Sequence, residues 1–419
     1  MNDVIVVGAG ISGLRCAELV ANAGLDVLIL EKKATIGGSF GENLEAFPEY
    51  HYMKLDLPVP STPVRKVQIF CGPGLARRRL ILQFDGPVFR IVKRGSSPDS
   101  IDSYLYQRVR KTSVQVQFNE RFENASQGLD GKISVRSSSG IYHCKVLIAA
   151  DGVFSSVRKS LGMSGRQKPE GVGYVAKVEG ANLERSQTIG IFNYKRWPGS
   201  YCYLIGYPHE SYSTVGITLR PNYTNTLVKK YFDSLIEYLP DILGEARIVD
   251  FTRGFVTMGS RDRPLSASLD SSGISNVLFL GEAGGFQDPT LAFGLAPALT
   301  SAHLASSSII RAFTQRDFRL LGEYQTRARQ ELVQDETRRI SFRYILEAMT
   351  EEELSTFLTT IAEHPKTVEK VMRTGDYVRN FLPLVIRSAS RNPKMMSFPF
   401  RFVRLSRSLK NRVAVNRRI

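Results

Sequence analysis

Residues 3–31 constrain the fold of this chain more than any other stretch. Residues 4–7 form a strand-sized apolar run. Gly8, Gly10 and Gly13 follow in G-x-G-x-x-G spacing, residues 14–23 carry apolar side chains at helical intervals, and residues 26–30 form a second strand closed by Glu31. This succession is a βαβ unit of the dinucleotide-binding type. The glycines serve a tight turn, a close approach of backbone to a pyrophosphate, and close packing of helix on strand. The helix N-terminus turns its free N–H groups towards the phosphates, with Ser12 just before it a candidate contact. Glu31 is placed to accept hydrogen bonds from an adenosine ribose, its charge disfavours a 2′-phosphate there, and Lys32 is a further candidate contact. This motif alone does not separate FAD from NAD.

Beyond Gly37-Gly38 the pattern shortens to β runs at 67–70, 80–84 and 88–92, then a helix near 101–111 and a strand at 142–149 that delivers Asp151-Gly152. Strand-sized runs at 174–178, 188–194, 201–206 and 213–219 follow one another, interrupted by one helix at about 224–238, which predicts an antiparallel sheet in a second lobe. Residues 276–281 are again a bare buried strand, followed by glycine-rich sequence and a helix over about 295–313. After Phe318 the chain reads as almost wholly helical, with a T-x-x-E capping box from Thr350 to Glu353 and a stop at His364-Pro365. Gly171-Val-Gly-Tyr-Val-Ala176 mimics a second fingerprint but lies in a β run with no helix after it. The expected division is 1–55, 93–165 and 265–317 for a discontinuous nucleotide-binding domain, 56–92 and 166–264 for a β-rich substrate domain, and 318–419 for a helical C-terminal region with a basic tail.

No apolar run approaches the ~18–20 residues a spanning helix needs. The first apolar run starts at residue 4 without a basic region before it, which argues against a secretory signal and for the cytoplasm. Cys16, Cys71, Cys144 and Cys202 lie far apart without C-x-x-C spacing, and the five histidines show no metal spacing, so buried thiols and no metal site are expected. Of those histidines only His51 lies near enough to the first glycine turns to approach a cofactor. The net charge of +16 invites a nucleic-acid reading until its distribution is examined: eleven Lys or Arg and no Asp or Glu lie in 377–419, leaving +5 for the rest. In that tail Phe402, Leu405, Leu409 and Val413 have helical spacing, with Arg401, Arg404, Arg407, Lys410 and Arg412 mostly on other faces. A basic amphipathic helix suits an anionic membrane surface, at ~1 kcal/mol per nearby cation. Peripheral membrane association is expected, with docking of the helix on the protein's own surface as the alternative, and no nucleic-acid partner, because the tail shows no clear stacking platform and no recognition fold.

Two later segments carry a family resemblance. Val146-Leu-Ile-Ala-Ala-Asp-Gly-Val-Phe-Ser-Ser-Val-Arg158 is similar to the D-G motif, and Val277-Leu-Phe-Leu-Gly-Glu-Ala-Gly-Gly-Phe-Gln-Asp-Pro-Thr-Leu-Ala-Phe-Gly-Leu295 to the G-D motif, of flavoproteins related to aromatic hydroxylases. Within that superfamily the chain most resembles the geranylgeranyl reductase family, over nearly its full length. The resemblance implies an α/β fold: a Rossmann-type, glutathione-reductase-like FAD-binding domain, an antiparallel β-sheet substrate domain and a C-terminal helical region. It implies FAD as cofactor, held through Gly8, Gly10, Ser12, Gly13, Glu31, Lys32, Gly38, Asp151, Gly281, Glu282, Gly294 and Leu295. Physically, Gly281-Glu282 at a strand end places a carboxylate for ribityl hydroxyls, while the glycines at 284, 285 and 294 let backbone approach a flat ring. The helix from Leu295 points its positive end at charge developing on flavin N1 and O2.

The departures bear on the reaction. Glu282 replaces the superfamily's usual Asp. Phe40 stands where the geranylgeranyl reductases commonly have the cysteine of a Cys-Gly-Glu segment, so a mechanism using that thiol is excluded. The Y-x-W-x-F-P pocket motif survives only as Tyr201-Cys-Tyr-Leu-Ile-Gly206, with Tyr203 for Trp and Gly206 for Pro. Arg94 resembles part of the R-x-x-F-D element beside the flavin, with the Phe missing. Phe286-Gln-Asp-Pro289 is similar to the equivalent loop of flavin halogenases, but their W-x-W-x-I-P motif is absent: Trp197 is the one tryptophan. The function this implies is FAD-dependent reduction of C=C bonds in a hydrophobic isoprenoid, geranylgeranyl or polyprenyl, free or lipid-linked. Tyr201, Tyr203 and Ile205 would face a greasy tunnel, with Tyr201 and Tyr203 as candidate proton donors. With no second nucleotide domain, NAD(P)H or ferredoxin is the electron donor. The alternatives are a monooxygenase or dehydrogenase on an aromatic or polyene substrate, and a non-catalytic membrane-associated flavoprotein.

Overall fold

The computed structural model describes residues 1–37, 41–54, 58–72, 78–163, 171–183, 188–191, 202–206, 211–219, 225–256, 264–267, 272–288, 292–334 and 336–391. They build three sheets and a set of C-terminal helices.

In the first sheet the strand Asn2–Val7 is central, with Ile141–Ala149 and then Val277–Phe279 on one side and Val27–Leu30 and then Gln115–Gln117 on the other, all parallel. The inner stretches at 4–7, 27–30, 146–149 and 277–279 are uniformly apolar because both faces are covered, whereas the edge strand Gln115–Gln117 is polar and partly exposed. Helices Ile11–Asn22, Ile101–Val109 and Leu295–Gln315 pack on one face around Val4, Val6, Ile29 and Ile148. The short strand Ser266–Ala267 adds an antiparallel edge, and Ile141–Ala149 continues outward into a hairpin with Ile133–Ser137 and Phe122–Gln127. The register aligns the carboxyl ends: Val7 lies opposite Ala149 and Leu30, and Ala149 opposite Phe279. Gly8, Glu31, Asp151 and Gly281 therefore leave the sheet along one edge, where ligands bind in open α/β sheets. Three stretches far apart in sequence converge there.

The second sheet has the order Arg247–Val256, Gly171–Glu179, Tyr212–Leu219, Cys202–Gly206, Thr188–Ile191, Lys66–Cys71, Arg78–Gln83. Its pairings are antiparallel except that of Thr188–Ile191 with Lys66–Cys71, which is parallel, a correction to a wholly antiparallel expectation. The period of two divides its side chains: Phe70, Cys202 and Leu204 pack under helix Asn225–Tyr238, whereas Val67, Ile69, Tyr203 and Ile205 face the C-terminal helices. The β run near 88–92 belongs to neither sheet. As Phe89–Arg94 it forms a three-stranded sheet with Asn43–Pro48 and Thr62–Val64, which sets Glu45 and Arg94 side by side.

Helices Glu336–Ala348, Glu351–Ala362, Pro365–Thr374 and Tyr377–Arg391 close over the second sheet. Thr350 and Glu353 form the reciprocal capping box that starts the second of these, and Pro365 opens the third at its first turn, where a missing N–H costs nothing. Among the described residues no helix is long and apolar enough to cross a membrane. The basic tail at 401–419 lies outside them.

Candidate active site

One cavity of about 830 Å³ runs from the carboxyl edge of the first sheet into the space between the second sheet and the C-terminal helices. Its first part is bordered by Gly8, Gly10, Ser12, Glu31, Lys32, Arg94, Asp151, Gly281, Glu282, Gly294 and Leu295. Gly13 does not border it. A Cβ on Gly13 would stand 2.0 Å from the Gly8 carbonyl oxygen, so this glycine lets the helix sit on the strand. Gly38 and Tyr201 lie outside the described residues, as does Phe40. His51, on helix Glu49–Lys54, does not line the cavity; its ring packs 4.0 Å from that of Tyr50.

Local geometry follows from the strand ends. Gly8 has φ of 103°, open to glycine alone at little cost, and a Cβ there would meet the Ala150 carbonyl oxygen at 2.5 Å. A Cβ on Gly281 would meet Ser12 Oγ at 2.7 Å. The first glycine loop thus touches both later segments. Glu31 receives the Ala9 amide at 2.7 Å and the Lys33 amide at 2.9 Å, which fixes its carboxylate at the edge of the cavity. Asp151 Oδ2 accepts from Ser156 Oγ at 2.9 Å and the Val157 amide at 3.1 Å.

Arg94 borders the cavity, yet its guanidinium is committed to Asp102 at 2.8 Å and Glu45 at 2.9 Å. Burial works against its charge, but the two carboxylates prevail and hold it protonated above its ordinary value. Tyr203 lies across Gly216 on the neighbouring strand, where a Cβ would come within 2.0 Å of its ring. Burial, with the nearby Glu45 charge adding to it, pushes its phenol well above the usual value.

The far part of the cavity is apolar. Phe342, Leu354, Phe357, Ile361, Met372 and Phe381, all from the C-terminal helices, face Val67, Ile69, Leu82 and Ile205 of the sheet. The sequence reading gave these helices no part in the site. Leu354, Phe357, Leu358 and Ile361 do show an i, i+3, i+4, i+7 stripe, but such a stripe signals a buried face and does not say that part of it borders a void. Gln287 and Arg158 lie inside the G-D and D-G motifs, and no local pattern in the sequence marks either as a site residue.

The chain's own groups fit a flavin dinucleotide. Asp151 Oδ1 is buried without a hydrogen-bond partner. Helices Ile11–Asn22 and Leu295–Gln315 both start at glycines with no side-chain cap, leaving amides free at two places on one cavity. A Cβ on Gly10 would meet nothing within 4 Å, so space lies open in front of the first helix.

Comparison with known proteins agrees. Residues 6–59 match the NAD(P)-binding Rossmann-like domain and residues 96–339 the FAD binding domain. The second match spans more than half of the chain, which belongs to that FAD-binding family. It is an FAD-dependent oxidoreductase related to the geranylgeranyl reductases. Digeranylgeranylglycerophospholipid reductase of Methanocaldococcus jannaschii is 25% identical over 375 residues, covering 86% of this chain and 90% of that one. In structure the chain is similar to a geranylgeranyl bacteriochlorophyll reductase-like protein from Thermoplasma acidophilum, with a TM-score of 0.76 at 19% identity over 96% of this chain and 99% of that one. It shares its fold with the halogenase PltM, solved in complex with FAD, with a TM-score of 0.66 at 14% identity, covering 98% and 96%.

Proposed function

We propose that the protein reduces C=C bonds of a hydrophobic isoprenoid chain, geranylgeranyl or longer, free or lipid-linked. The observation that carries this reading is the continuity of one cavity from a polar, glycine-lined cradle to an apolar chamber walled by Phe342, Phe357 and Phe381. In the cradle Gly8, Gly10, Ser12 and the helix start would receive the pyrophosphate, Glu31 and Lys32 the adenosine end, Asp151 and Glu282 sugar-type hydroxyls, and Gly281, Gly294 and Leu295 the ring. Gly13 and Arg94 would support that cradle, and Gly38 would join them as the remaining candidate contact. Bound FAD, once reduced by NAD(P)H or ferredoxin, supplies a hydride.

The protein's part is placement and exclusion of water. An isolated alkene accepts hydride poorly, so it has to be held close and dry. The chamber's aliphatic and aromatic walls meet both needs, and they solvate a polyprenyl chain without any charge to attract water. The second alkene carbon needs a proton, for which Tyr203, in the cavity lining, is the candidate, with Tyr201 the other candidate. Tyr203 stays neutral at all ordinary pH values, so its proton is available to the strongly basic carbon that hydride addition leaves. The assignment of 1–55, 93–165 and 265–317 to FAD, of 56–92 and 166–264 to substrate and of 318–419 to the cover belongs to this proposal, as does docking of the 401–419 tail on anionic membrane at the cytoplasmic face.

Anaerobic incubation of the dithionite-reduced protein with a geranylgeranyl or polyprenyl lipid tests it. Mass spectrometry should find one H₂ gained per reacting double bond. Unchanged lipid, together with rapid NAD(P)H-dependent oxygen uptake on an aromatic or polyene substrate, would replace the reductase reading with a monooxygenase one.

A further inference from the structure

Gln287 follows the Gly284-Gly285-Phe286 turn, lines the cavity and is 9% exposed. Its amide nitrogen donates to the Ala292 carbonyl at 2.7 Å, which identifies the other branch of the carboxamide as the oxygen. That oxygen is buried and has no hydrogen-bond partner. A buried acceptor left unpaired is costly, and such groups point to something that completes them.

Its surroundings say what. The position of a Cβ on Gly294 is 3.9 Å from the Gln287 amide nitrogen, so the side chain stands at the start of helix Leu295–Gln315, whose first amides have no side-chain cap. The loop is held from behind. The Asp288 amide donates to the Phe293 carbonyl at 2.9 Å, and the Asp288 carboxylate, fully buried, receives Arg339 at 2.8 Å. A rigid acceptor beside free donors complements an imide edge, in which an N–H adjoins a carbonyl oxygen. The tricyclic ring of oxidised flavin has its sole N–H at N3, between two carbonyl groups.

We propose that the Gln287 carboxamide oxygen accepts a hydrogen bond from flavin N3–H and so selects and orients the pyrimidine edge of the ring. This rests on the FAD reading and adds a recognition residue to it. Gln287 is a binding residue in this account; it carries no proton in the reaction.

The test uses full-length apoprotein titrated with FAD and with 3-methyl-FAD, in which the N–H is replaced by a methyl group, binding being read from flavin fluorescence. Wild type should bind the methylated analogue about tenfold more weakly, the scale of one unpaired buried acceptor. Gln287→Leu should bind the two flavins within about twofold of each other. Equal affinity of wild type for both, a comparison that needs no variant to fold, overturns the proposal. So does discrimination by Gln287→Leu as strong as that of wild type, which would trace the methyl effect to another neighbour. A wild type that binds neither flavin would instead overturn the FAD reading itself.

Discussion

The Arg158 guanidinium donates to the carbonyl oxygen of Ala283 at 2.6 Å, so a cation from the D-G segment holds the turn of the G-D segment 125 residues later. The same guanidinium reaches the Pro264 carbonyl at 2.6 Å and stacks 3.9 Å from the Phe279 ring centroid, with the residue 1% exposed. Arg158→Leu strips two carbonyls of their donor and should cost about 2–4 kcal/mol in urea denaturation. Arg158→Lys keeps the charge and loses the planar fork, so it should recover only part of that. A leucine variant within about 0.5 kcal/mol of wild type would mean that water replaces the guanidinium at both carbonyls.

Gly10 and Gly13 are predicted to fail in different ways. Gly10 has φ of −78°, which alanine adopts freely, and its Cβ would stand in open space in front of the helix. Gly10→Ala should therefore fold within about 1 kcal/mol of the flavin-free wild type and bind FAD at least tenfold more weakly. At Gly13 the new methyl would press on backbone, the Gly8 carbonyl oxygen, which cannot swing aside. Gly13→Ala should lose about 1–3 kcal/mol of stability. Thermal scans of flavin-free protein beside FAD titrations check both, and equal behaviour of the two variants would refute the separation.

What could be read from sequence was whatever short-range pattern dictates. The strand, glycine turn and acid at 3–31 mark one element after another, and the capping box at Thr350 is local by nature, so both appear where the residues place them. Pairing between distant strands has no such local signal. Nothing in residues 188–191 announces a parallel partner at 67–70, and nothing in residues 89–94 separates a small third sheet from the large one. The chamber was hidden for a related reason: Phe357 and Ile361 would look the same on a packed helix as on one bordering a void. Burial was read correctly for the thiols, because isolated cysteines in a large core tend to be enclosed.

Those four thiols should be inert. Burial pushes Cys16 and Cys144 up to about 12, and raises Cys71 and Cys202 as well. Each folded value lies above the unfolded one, so the fold favours the protonated thiol. The associated stability is whole below the unfolded value near 9 and is lost as pH climbs towards about 12. The urea midpoint should be level from about pH 7 to 8.5 and decline above about 9. At neutral pH a chromogenic disulfide reagent should find no fast thiol in native protein and four in denatured protein. One thiol reacting within seconds at neutral pH would contradict this.

Tyr203→Phe isolates the proton from the shape. The ring can still lie across Gly216, so the cavity wall there keeps its form and FAD affinity should stay within about twofold of wild type. Loss of a general acid lowers turnover about 100-fold or more. Because burial and then Glu45 both raise the phenol, wild-type turnover should show no decline attributable to Tyr203 between about pH 7 and 10, and any such decline should persist in the phenylalanine variant. A second readout separates proton donation from packing. In D₂O the wild-type rate should fall by a solvent isotope effect that the variant lacks or carries differently, since its proton comes from another source. Full turnover in Tyr203→Phe, with the wild-type isotope effect intact, would move the proton source elsewhere, with Tyr201 the next to be replaced.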